Sequence, residues 1–298
     1  MDNKISEPTY VGVLGASSFV GVSLLQRLKN TSMSVIAYTR REKNASETVV
    51  EWRRLKCDLS AGSITQSPHV IPLWVCLAPI SVLSEYFTLL EAHGVRRVVV
   101  LSSTSRFTKT NSSDPNEKIL VKHLADAEVR VQEWAESRDV EWIILRPTLI
   151  YGCGQDRNIA EITRFIRRFG FFPVLGKACG LRQPIHVQDV AGACLAALQS
   201  PGSVNRAYNI SGAETLTYRE MVMRIFTALR KKPRLVSIPL WMFSAAVFAA
   251  RCIPRYRKWS SAMAERMNSD MVFDHSEVKR DLEFKPRKFL LSEEDLPT

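Results

Sequence analysis

The stretch Tyr10-Val-Gly-Val-Leu-Gly15-Ala-Ser-Ser-Phe-Val-Gly21 decides how the rest of the chain is read. A short apolar run rich in β-branched residues breaks at Gly15 and resumes as an apolar-periodic segment from Phe19 to Leu28. That order predicts a buried strand, a tight turn and a helix start, as a dinucleotide-binding βαβ unit requires. Gly15 lets backbone N–H groups approach a pyrophosphate, Ser17 and Ser18 add hydroxyl donors, and the N-terminus of the helix beginning at Phe19 and Val20 favours negative charge. Gly21 lets helix and strand pack closely. The spacing is G-x-x-S-x-x-G, with Ser18 in place of the middle glycine of the G-x-x-G-x-x-G variant. Any strand–turn–helix corner could use the same pattern, so the decision passes to the neighbouring segments.

Strand and helix patterns alternate as far as about residue 150, which predicts an α/β fold with a parallel sheet. Ser32–Thr39 reads as the second strand and ends in Tyr38-Thr39-Arg40-Arg41, with no carboxylate before Glu42. An acid at that place would hold the ribose 2′-hydroxyl of NAD, whereas Arg40 can pair with a 2′-phosphate, so NADP is expected over NAD. Val49–Lys56 is a third strand, followed by Cys57-Asp58-Leu59; Asp58 either accepts from the adenine amino group or caps a helix. Val70–Leu77 runs into Ala78-Pro79 and a helix reaching about His93. Val95–Leu101 is apolar enough to be buried on both faces and ends in the hydroxyl cluster Ser102-Ser103-Thr104-Ser105, at the sheet edge where ligands of such folds sit. A long helix follows, with Leu120, Leu124, Ala127, Val131 and Trp134 as its apolar stripe, and Glu141–Pro147 is a sixth strand. Beyond it, Ile159–Phe169 is a basic helix, and Thr217 with Glu220 has capping-box spacing ahead of a helix to Leu229.

The 298 residues carry 41 Lys and Arg against 30 Asp and Glu, a net charge of +11. The basic residues are dispersed and no nucleic-acid motif is present, so a phosphate-bearing small molecule is the expected partner rather than nucleic acid. The six cysteines show no paired or metal-like spacing, which predicts free thiols, no metal centre and a reducing, cytoplasmic compartment. Met1 to Pro8 is polar and predicts no secretory signal.

Six pieces in order resemble the extended short-chain dehydrogenase/reductase family of the NAD(P)-dependent epimerase/dehydratase type: Gly15–Gly21, Cys57–Leu59, Leu101–Thr104, Leu145–Gly152, Arg182–Ala191 and Ala207–Gly212. The resemblance implies a Rossmann-type doubly wound sheet over residues 1–156. It also implies a smaller substrate lobe over 157–298, with segments around 182–212 returning to the core. It places the dinucleotide against Gly15–Gly21, Arg40, Asp58, Leu59, Leu77, Ala78, Pro79 and Pro147. The nicotinamide falls beside Thr104 and Ser103, and the substrate against Tyr151, Arg182 and His186. The family's Tyr-x-x-x-Lys acid/base pair is missing: Lys122 fits the lysine, but Lys118 stands four residues before it. Both lysines project from the polar side of the helix, and His123 is the candidate substitute. Lys177, Arg168 and Arg164 could join Arg182 in an anion clamp. Asp189 reads as a cap for a helix over Val190–Leu198, and His186 as a hydrogen-bond partner of backbone.

Pro239–Pro254 is strongly apolar, with Arg255, Arg257 and Lys258 after it. It is too short to span a bilayer, which leaves packing on the lobe, a substrate-channel wall, or peripheral membrane contact through 239–258. A homodimer is equally left open. Three functions compete: an oxidoreductase acting on a nucleotide sugar or similar phosphorylated carbinol; a non-catalytic NADP(H)-binding accessory, assembly or sensing protein; and a reductase of a lipid-like alcohol.

Overall fold

β1 (Tyr10–Leu14) is an unbroken apolar run with Val11 and Val13 buried on one face and Leu14 on the other, so it lies inside a sheet covered on both faces. The computed structural model, which describes residues 9–40, 50–55, 69–108, 114–239, 242 and 261–297, places it there. Around it run β2 (Ser34–Thr39), β3 (Val50–Arg54), β4 (Leu73–Cys76), β5 (Arg97–Leu101), β6 (Glu141–Pro147) and β7 (Arg206–Ile210). The strands pair in parallel in the order β7-β6-β5-β4-β1-β2-β3. The direction of winding reverses between β1 and β4, and a crevice outside the strand ends at such a point is where ligands of open α/β sheets bind.

Helices cover both faces. On one, α1 (Phe19–Leu28) packs against a later helix, Val187–Gln199. On the other lie a 3₁₀ segment (Ile80–Tyr86), α2 (Phe87–Ala92) and the long α4 (Pro115–Glu136), after the short α3 (Ser105–Thr108). The helix expected to run up to His93 therefore begins with 3₁₀ turns. Ala127, Val131 and Trp134 of α4 are buried as its periodicity requires, but Leu120 is 41% exposed, because the N-terminal turns of α4 reach past the sheet they would pack on. Cys76 and Cys194 are buried free thiols, whereas Cys153 and Cys179 are exposed.

Beyond β6, a second apolar cluster gathers α5 (Asn158–Phe169), the parallel pair Phe172–Leu175 with Leu235–Ile238, α7 (Tyr218–Ala228) and α8 (Ser261–Asn268). α5 turns Ile159, Ile162 and Ile166 inward and leaves Arg164, Arg167 and Arg168 exposed. α7 opens with the expected capping box: Thr217 Oγ1 accepts from Glu220 N–H at 3.1 Å while the Glu220 carboxylate accepts from Thr217 N–H at 2.8 Å. α6 (Val187–Gln199) corrects one expectation. Its cap is His186, whose Nδ1 accepts from Gln188 N–H at 3.2 Å, so the helix starts before Asp189. Asp189 instead binds Arg287 from the chain's last segment.

Among the described residues no helix is long and apolar enough to cross a membrane. The 239–258 stretch lies almost wholly outside the described residues, as do Asp58 and Leu59.

Candidate functional site

The corner after β1 is built from backbone. Gly15 has φ +76°, and a Cβ there would stand 2.6 Å from the Ala78 nitrogen just beyond β4, so only glycine fits. A Cβ on Gly21 would meet the Ala16 carbonyl oxygen at 2.4 Å, which fixes how closely α1 approaches the turn. Ser18 caps α1 by accepting from Gly21 N–H at 3.1 Å. No acid stands in the first turn of α1, so the amides of Phe19 and Val20 present an unopposed positive end. Ser17 is exposed beside them, Leu77 is buried against the corner, and Ala78 and Pro79 continue the rim. These features fit the pyrophosphate of a dinucleotide. Arg40 is exposed immediately after β2.

The hydroxyl cluster after β5 is held by a buried acid. Glu128 of α4 is 0% exposed and accepts from Ser102 Oγ at 2.5 Å and from Arg146 Nε and Nη2 at 3.0 and 2.6 Å; Arg106 completes the cluster. Burial alone would push this carboxyl up, but Arg146, Ser102 and Arg106 outweigh it and hold it below its usual value. Ser103 and Thr104 have different capacities. Thr104 Oγ1 donates to the Pro147 carbonyl at 3.0 Å, so its proton is spent. Ser103 Oγ accepts from Ser105 N–H at 3.1 Å and keeps its own proton to donate.

A cavity of about 920 Å³ is lined from the sheet side by Phe19, Ser103 and Thr104 and from the lobe by Phe172, Tyr218 and Met267. Arg182 is on its wall and only 4% exposed. Its Nη1 donates to the carbonyls of Leu181 and Ser269 at 2.6 and 2.7 Å, and its guanidinium lies 5.7 Å from the Tyr218 ring centroid. Among the described residues no carboxylate forms an ion pair with it, and Asp270 acts on this buried cation without contacting it. Burial pulls the guanidinium down from its usual pKa, against the influence of Tyr218 and Asp270. Burial pushes Tyr218 up to about 12 despite Arg182 and Arg266, which keeps the phenol protonated at neutral pH. Arg266, also on the wall, pairs with Glu117 and so joins α8 to α4.

The remaining expected site residues are placed apart from this wall. His123 is exposed on α4, as are Lys118 and Lys122. Lys177, Arg168 and Arg164 are on the surface, so the basic residues that share the cavity with Arg182 are Arg266 and Arg157 rather than these. Tyr151 is fully buried behind the wall, its ring edge-on to His186 and Phe289 at 5.1 and 4.8 Å. His186 Nε2 lies 3.0 Å from Asp295 Oδ1; with Nδ1 accepting from Gln188, Nε2 is the donor. Asp295 also accepts from Ser292 N–H, Ser292 Oγ and Cys153 N–H, latching the chain's last segment to the turn after Tyr151. Tyr218 and Arg266 carry no local sequence signal, since only the fold brings Arg266 to Arg182.

Sheet order and glycine corner define the class, a Rossmann-type α/β protein. Within that class the chain matches the NAD dependent epimerase/dehydratase family over residues 82–211, so the resemblance read from the sequence holds at the level of the family. It is 33% identical over 100 residues to an Arabidopsis thaliana mitochondrial protein, NADH dehydrogenase [ubiquinone] 1 alpha subcomplex subunit 9, covering 33% of this chain and 25% of that one. It is 23% identical over 168 residues to the UDP-glucose 4-epimerase of Vibrio cholerae, covering 56% of this chain and 48% of that one. The chain thus spans a quarter to a half of these curated relatives. The structure of MoeE5 in complex with UDP-glucuronic acid and NAD superposes with a TM-score of 0.68 at 20% identity, covering 94% of each chain, which establishes likeness of fold.

Proposed function

We propose that the protein binds NADP(H) in preference to NAD(H) and acts as an epimerase/dehydratase-type oxidoreductase on a nucleotide-linked sugar or similar phosphorylated carbinol. The observation that carries this reading is Arg182, a buried guanidinium without a carboxylate partner on a cavity shared with Ser103 and the corner residue Phe19. An ion taken out of water costs several kcal/mol unless a counter-charge meets it, and a phosphate that pairs with guanidinium supplies one. Arg40, exposed where β2 ends, suits a 2′-phosphate. The bound nicotinamide would supply the site that takes or gives hydride. The chain's own contribution is orientation: Ser103 donates to the substrate oxygen, the oxygen of Thr104 accepts, and Tyr218 donates from a protonated phenol.

A second reading, a non-catalytic holder of NADP(H), draws on the spent proton of Thr104, the exposed His123 and the lysine at 118. The partial likeness to a subunit of NADH dehydrogenase supports it as well. Both readings are tested by fluorescence titration with NADPH and NADH, followed by UDP-glucose and turnover assays. NADPH is expected to bind the more tightly. Arg182→Met is expected to weaken UDP-glucose by about 10- to 100-fold while leaving NADPH unchanged. Retained UDP-glucose affinity in Arg182→Met would refute the anion site. Tight NADPH without turnover of any phosphorylated carbinol would favour the holder.

A further inference from the structure

The cavity beside Arg182 is far larger than a phosphate needs, and much of its wall is hydrocarbon. Phe165, Phe172, Met221, Met267, Met271 and Ile238 all face it. Phe165 heads an aromatic group with Phe169, Phe171 and Phe172 at centroid distances of 4.6, 5.7 and 5.6 Å. The three methionines are unbranched and polarizable, and adapt to flexible apolar ligands better than to a flat polar base. Met271 is bridged through its backbone to Arg182, so hydrocarbon and guanidinium adjoin. Gln155, Arg157, Asn158 and Glu161 also line the cavity, while Gln183, Thr148 and one oxygen of Asp156 are committed within the protein. Gln183 donates to Thr215 and accepts from Phe273 N–H, Thr148 donates to the Gln183 carbonyl, and Asp156 caps α5 through the amides of Ile159 and Ala160. On the Phe–Met part of the wall a nucleobase would forfeit hydrogen bonds it has in water, whereas an alkyl chain would forfeit none.

We propose that the phosphorylated ligand of this cavity carries a long hydrocarbon group esterified through its phosphate, the chain lying on the Phe–Met wall and the phosphate meeting Arg182. This rests on the reading of Arg182 as an anion site, and the test separates the two. Farnesyl diphosphate, inorganic diphosphate, farnesol and UDP-glucose are titrated calorimetrically into the full chain saturated with NADPH. Farnesyl diphosphate is expected to bind at least about tenfold more tightly than either inorganic diphosphate or UDP-glucose, a margin that two buried methylenes suffice to supply. Met271→Gln and Ile238→Gln, both at partly exposed positions, are expected to weaken farnesyl diphosphate about tenfold each and leave inorganic diphosphate unchanged, with thermal unfolding as the check on folding. UDP-glucose binding more tightly than farnesyl diphosphate would overturn the hydrocarbon ligand and leave the anion site standing. Farnesol matching farnesyl diphosphate would overturn the phosphate half. No binding by any phosphate, or none altered by Arg182→Met, would remove the anion site and with it this inference.

Discussion

The corner at Gly15–Gly21 and the wall around Arg182 are made in opposite ways. The corner is backbone: one left-handed glycine, one glycine without room for a methyl group, and helix amides left open. The wall is side chains, brought together from segments as distant as Phe19, Phe165, Arg182 and Met267. Backbone geometry of this kind is specified within twelve residues, so it leaves a mark in sequence and is tolerant of what surrounds it. A wall assembled from distant segments has no such mark, and its ligand can change while the fold stays the same.

Three substitutions would sharpen or break that contrast. Glu128→Ala has the largest expected effect, because it strands Arg146 and Arg106 without their shared carboxylate. Urea denaturation should show a loss of about 3–5 kcal/mol. Since Glu128 also anchors Ser102, both regions should weaken together; a variant that loses stability but keeps both ligand affinities would separate the strand edge from function.

Asp295→Asn comes next and should touch the lobe side alone. Burial by itself would raise the Asp295 carboxyl, but His186, Ser292 and the Cys153 amide hold it well below the usual carboxylate range. A group whose pKa is depressed on folding contributes stability above its unfolded value, about 3.9 for Asp, and that contribution is lost as pH falls from there toward the folded value. The wild-type urea midpoint should therefore fall below about pH 3.9, more steeply than that of Asp295→Asn, which should be less stable by about 1–3 kcal/mol at neutral pH. Equal pH slopes for the two proteins would show that the latch does not depend on this charge.

Ser18→Ala is the smallest test and should touch the corner alone. Loss of the cap costs about 1 kcal/mol, read as a lower urea midpoint. NADPH affinity should drop by only a few-fold, because the amides of α1 remain. A large loss would mean that the Ser18 hydroxyl, rather than the helix end, meets the pyrophosphate.

How far each part was legible follows from this contrast. β6 was readable to the residue because an apolar run ends at Pro147, which cannot continue the ladder. The capping box at Thr217 was readable because its two partners are three residues apart. The start of α6 is hidden in the sequence, since His is an unusual cap and only the folded ring orientation makes Nδ1 an acceptor for Gln188 N–H. Periodicity puts Leu120 on the stripe but cannot say how far the surface beneath a helix extends. Arg182 is visible through its family pattern, but its lack of an ion-pair partner is not. Nor is its neighbour Arg266, whose placement depends on Glu117 in another layer.

A dinucleotide held at this corner is tested by an NADPH titration of the wild type beside Gly15→Val, with thermal unfolding to verify that both are folded. At Gly15 a side chain would have to occupy φ +76° and stand against the Ala78 backbone. Saturable binding by the wild type is expected, and none by Gly15→Val at the same concentrations. A flat wild-type titration, or equal affinity in the folded variant, would contradict it.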